Sequence, residues 1–185
     1  MSDAAVPEGR ETRTRLALGT ALEALKLAQR EAVGAAQDKA HWGWVALGLV
    51  TALQAALVAG LSGYETAAVE AVQNPSQPER IASGSLLMRR ASSAAFLNLP
   101  ERVDLSGSQL RAVQRVVAVR NAAVHSLGLV LPRTFAADAL EVVRLLQHLV
   151  LDAPAFDARK FSMQTIFLRD TLAGLARALG EIKPA

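Results

Sequence analysis

Apolar positions recur at spacings of three and four along most of this chain, and the breaks between such stretches are short. Over residues 12–36, Leu16, Leu22, Leu25 and Val33 are among the apolar positions of a pattern that predicts an amphipathic helix. The run "HWGWVALGLVTALQAALVAGLSGY" is apolar almost throughout and predicts a second helix over 39–62, buried on most sides, with a short continuation over 65–72. "NPSQPE" then breaks the chain. A third helix is expected over 80–96, followed by the loop "NLPERVDLSGS". A fourth should run from a cap at Ser108 to Ser126, where Gly128 stops it. A fifth is expected over 135–151, between "LPRT" and "DAPAFD", and a last one over 162–180. With no internal repeat and no linker, the pattern predicts an all-α, up-and-down bundle of five to six helices. It forms one domain over 1–185, with 1–11 as a flexible tail.

Composition narrows the class. The chain is 51% hydrophobic yet only 4% aromatic, rich in Ala, Leu and Val, which suits helices. It has no cysteine, which removes disulfide frameworks, thiolate metal sites and thiol nucleophiles. Its first residues carry no secretory pattern, so a cytoplasmic location is expected. The long apolar run approaches the length of a membrane span, but Gln54 and Thr51 lie inside it beside many small residues. A buried core helix is the preferred reading, and no membrane partner is expected. Three histidines at 41, 125 and 148 have no ligand spacing, and Gly-rich phosphate loops are absent, so neither metal nor cofactor is expected.

The stretch "AVRNAAVHSLG" carries the candidate chemistry. On a helical wheel, Leu110, Val113, Val117, Val124 and Leu127 form one stripe from which position 120 is missing, so Arg120 is expected in the apolar seam. Asn121 and His125, four apart, share a face beside it. The helix dipole favours a protonated imidazole at that end. Charge is unevenly spread: six basic and nine acidic residues in 1–79, eight and two in 80–133, six of each in 134–185. The basic residues of the middle segment are all arginines, the side chain best fitted to bidentate phosphate contact. An anionic partner is implied, RNA first, with Arg111, Arg115 and Arg133 as the expected contacts. Arg89 and Arg90 read as a solvated face, and His41 and His148 as structural or surface groups.

The sequence "RNAAVH" resembles the R-x4-H signature, with its usual polar residue after the arginine, of the HEPN (higher eukaryotes and prokaryotes nucleotide-binding) superfamily. Members are helical bundles with the motif late in a core helix, and many are metal-independent ribonucleases that work as dimers. The resemblance implies catalytic roles for Arg120 and His125 and a supporting role for Asn121. The chemistry suits these groups: a 2′-hydroxyl attacks the adjacent phosphorus, His125 exchanges protons, and Arg120 clamps the non-bridging oxygens. A two-fold homodimer with both motifs on one cleft would supply a second histidine. A toxin or defence effector held by an antitoxin-type protein is one expectation. The alternatives are an inactive RNA-binding or adaptor module, and Arg120 as a structural cation paired with Glu65, Glu70 or Glu141.

Overall fold

The computed structural model describes residues 9–125, 128 and 130–181. It is an all-α bundle of six helices: α1 (Arg10–Gly34), α2 (His41–Gly63), α3 (Gly84–Ala91), α4 (Gly107–Val124), α5 (Phe135–Gln147) and α6 (Ser162–Glu181). Helix α1 begins at Arg10, so the tail expected over 1–11 overlaps it; residues 1–8 lie outside the described residues.

Helix α2 is the axis of the fold. Of its residues, Val45, Ala46, Leu49, Ala52, Ala56 and Ala59 are wholly buried, and α1, α3, α4 and α5 all pack on it. Among the described residues it is the one helix long and apolar enough to cross a membrane, and 78% of its most apolar window is buried inside the bundle. Small residues let the two longest helices come close. A Cβ placed on Gly48 would lie 2.6 Å from the carbonyl oxygen of Ala24 and 2.9 Å from the nitrogen of Ala28, so only glycine permits this approach. Helix α6 runs parallel to α1: Arg15 lies over the ring of Phe161, and Gly174 abuts Gln29. Gln54, polar inside the apolar run, donates to the carbonyl of Ala82 at 3.3 Å.

Several boundaries differ from the sequence reading, each for a local reason. The continuation expected over 65–72 is a single 3-10 turn, Val69–Ala71. "NPSQPE" forms a small antiparallel hairpin of β1 (Gln73–Asn74) and β2 (Gln77–Ile81), in which Asn74 Oδ1 accepts from the amide of Ser76 at the turn. Arg80 therefore lies in a strand, and α3 starts only after Ser83, whose hydroxyl accepts from the amide of Leu86. Arg90 is not part of a solvated face: Nη1 donates to the carbonyls of Ala71 and Gln73 and its guanidinium lies over Phe96, tying the hairpin to α3. Helix α4 is capped by Ser106 rather than Ser108, in a full capping box with Gln109, because Ser106 alone has Gln three residues on. The fifth helix passes into a π turn, His148–Asp152, which carries it to the expected end.

Candidate functional site

The polar motif occupies the last turns of α4, and the face that α4 buries sets where each side chain goes. Ala112, Val116 and Val119 are buried, and Ala123 meets Gly43 of α2 so closely that a Cβ there would lie 2.8 Å from its own. At 100° per residue these four positions fall within about 60° of one another. The seam expected at Leu110, Val113, Val117, Val124 and Leu127 is therefore not the buried one. Leu110 and Val124 are 44% and 50% exposed, Val113 and Val117 half-buried, and Leu127 lies outside the described residues. The physical reason is size: α4 has two apolar stripes, and the one carrying Ala112 and Ala123 allows the closer approach to α2.

Arg120 follows from this. It is half-buried, at a wheel position between the buried face and the second apolar stripe. Its Nη1 donates to Asn121 Oδ1 at 2.8 Å, and its Nε is shut off from solvent without an acceptor. None of the expected acids reaches it; Glu141, for instance, pairs with Arg144. A buried donor left unmet costs about 1–3 kcal/mol, so the guanidinium is held in this place at some expense. Asn121, half-buried, and His125, exposed, point away from the core. His125 is the C-cap of α4, its amide donating to the carbonyl of Asn121 at 3.0 Å. The three side chains thus share one helix end: Arg120 and Asn121 are joined by a hydrogen bond and His125 is presented to solvent.

The three arginines expected to contact RNA separate. Arg115 turns toward α5, where Nε and Nη2 donate to the two oxygens of buried Asp138 at 2.7 and 2.6 Å, and Thr134 Oγ1 donates to the same carboxylate at 3.0 Å. The carboxylate raises the guanidinium's pKa further and fixes Arg115 as the clasp between α4 and α5. Arg111 is exposed nearer the start of α4, about 20 Å along the axis from His125 at 1.5 Å per residue. Arg133 is exposed at the motif end, on the rim of a cleft of about 730 Å³ that also takes in Lys39, Trp42, Phe135, Leu131 and Leu140.

Two features had no sequence signal of their own. Trp44, 55% exposed, lies in the apolar run but points outward, and with Ala40, Gly43 and Leu47 it forms a small notch under Ala123 and Val124. Asp138, four residues after Thr134, is the one buried charged residue among the described residues, and only the fold shows that Arg115 reaches it. His41 is held by Glu31 at 2.7 Å, across the turn between α1 and α2. Among the described residues no three His, Asp or Glu side chains gather as a metal's ligands. Comparisons with protein-family models, with curated proteins and with solved structures find no match to this chain.

Proposed function

We propose that this protein is a metal-independent endoribonuclease of HEPN type, acting on single-stranded RNA through Arg120, Asn121 and His125. The observation that carries the reading is the arrangement at the end of α4: a half-buried arginine hydrogen-bonded to Asn121, with an exposed histidine one turn beyond that asparagine. His125 takes the proton of the attacking 2′-hydroxyl. Arg120 holds the non-bridging oxygens as charge builds on the phosphorane, and Asn121 aims the guanidinium. The leaving 5′-oxygen needs a proton in its turn, and the His125 of a second copy supplies it across a two-fold axis.

The unused apolar stripe supports that dimer. Leu110 and Val124 are exposed on this stripe and Val113 and Val117 half-buried, with Val124 beside outward-facing Trp44, the kind of residue that anchors interfaces. The same stripe favours the second reading, a helical adaptor that binds RNA or a partner protein of antitoxin type without cutting. Cleavage separates the two. The protein should cut single-stranded RNA in EDTA and spare a strand whose target 2′-hydroxyl is replaced by hydrogen. Light scattering should give twice 19.6 kDa, falling to one chain for Trp44→Glu. RNA bound but never cut, with the dimer intact, would leave the adaptor.

A further inference from the structure

We infer that the cleft between the α1–α2 turn, the start of α5 and the end of α6 is a subsite for one nucleotide of the RNA strand, taking its base inside and its phosphate on the rim. This rests on the ribonuclease reading and gives it a recognition pocket. The cleft's volume of about 730 Å³ lies within the range of small-ligand pockets. Its wall is stiff: Trp42 and Phe135 pack edge to face with centroids 5.2 Å apart, and Leu131 and Leu140 extend the apolar lining. Lys39 and Arg133 are exposed on its rim, and among the described residues neither has an ion-pair or hydrogen-bond partner and no carboxylate lines the cleft. An apolar interior under two unpaired cations suits a ligand with a flat, weakly polar body and an anionic end. Gln37, whose amide both donates and accepts, stands at the same rim and can read a base edge.

Position ties the cleft to the motif. Trp42, in its wall, is next in sequence to Gly43, which Ala123 of the motif helix touches. The motif end of α4 and the cleft therefore share one end of the bundle, whereas Arg111 lies toward the other. A strand whose scissile phosphate sits at Arg120 and His125 can place a neighbouring nucleotide here, which gives Arg133 and Lys39 a defined phosphate rather than a diffuse attraction.

The test uses the full chain carrying Trp44→Phe, which leaves Trp42 as its one tryptophan. Adenosine 5′-monophosphate should change Trp42 emission saturably, at a concentration at least tenfold below that needed by ribose 5-phosphate or by adenosine. Lys39→Ala and Arg133→Ala should each weaken it about three- to fivefold, the worth of one exposed charge contact. Ala136→Phe, which fills the half-buried mouth without adding a second indole, should abolish the response with helicity unchanged. His125→Ala should leave it intact. Equal binding of ribose 5-phosphate, or a response that survives Ala136→Phe, would overturn the subsite. RNA cleavage without nucleotide binding here would remove the subsite and keep the nuclease. Nucleotide binding here in a protein that never cuts RNA would keep the subsite and remove the nuclease.

Discussion

The close approach of α1 and α2 yields a paired prediction, because the same substitution should act with opposite sign at two glycines. Gly48 sits in α2 where a methyl group would lie 2.6 Å from the Ala24 carbonyl oxygen and 2.9 Å from the Ala28 nitrogen and Cβ. Gly19 sits mid-way along α1 with nothing within 4 Å of the corresponding point. Replacing glycine by alanine inside a helix is worth about 0.8–1 kcal/mol in backbone propensity at either site. At Gly19 that gain stands alone, so Gly19→Ala should stabilise by about 0.5–1 kcal/mol. At Gly48 the obstacle is backbone, which cannot rotate away, and forcing apart a well-packed contact costs about 1–3 kcal/mol. The net for Gly48→Ala is a destabilisation of up to about 2 kcal/mol. Urea unfolding followed by circular dichroism, at one fixed protein concentration, should place the two midpoints on opposite sides of wild type. With a slope of about 2 kcal/mol/M they should differ by about 1 M. If Gly48→Ala proves as stable as Gly19→Ala, the close α1–α2 packing that positions the start of α2 is wrong.

Three further outcomes follow from single residues. Ser106→Ala removes the cap and half of the capping box at the start of the motif helix, and should cost about 1 kcal/mol in chemical unfolding. Glu31 has its carboxyl pKa lowered below 4.5, first by its hydrogen bond with His41 and then by Arg30; a depressed folded pKa gives stability that is present above the unfolded value and lost as pH falls through the folded one. Glu31→Gln should thus be less stable than wild type at pH 7 by up to about 1 kcal/mol, the two converging once the acid is protonated in the folded state. A wild-type advantage that persists in strong acid would contradict that pairing. Gly43→Ala pushes on Ala123 at 2.8 Å, so it should shift the last turn of α4 and lower RNA cleavage by about tenfold or more, since small misplacements at a reacting centre are costly.

Much of the architecture was legible in the sequence. The period of three and four marked all the long helices, and the near-continuous apolar run marked α2 as the core, because a helix buried on most sides needs no polar face. The hairpin at 73–81 was not legible: its residues are exposed or half-buried and lack alternation, and it is held by Arg90 near the end of the helix that follows it. The seam of α4 was misread because the helix has two apolar stripes, and hydrophobicity alone does not say which one a neighbour can approach. The choice was made by Gly43, eighty residues away from Ala123. Among the site residues, the grouping of Arg120, Asn121 and His125 needed only their spacing. The engagement of Arg115 with Asp138, and the outward turn of Trp44, depend on tertiary contacts that no local pattern encodes.

The ribonuclease reading turns most directly on His125, an exposed group at a helix end whose loss should leave the bundle standing. Wild type and His125→Ala, matched for circular dichroism and melting temperature, should be incubated with single-stranded RNA in EDTA and the product ends read by mass spectrometry. The expected result is 2′,3′-cyclic phosphate ends from wild type and a rate lower by about 10² or more in the variant. Cleavage by His125→Ala at the wild-type rate, with the same ends, would contradict the assignment of the site.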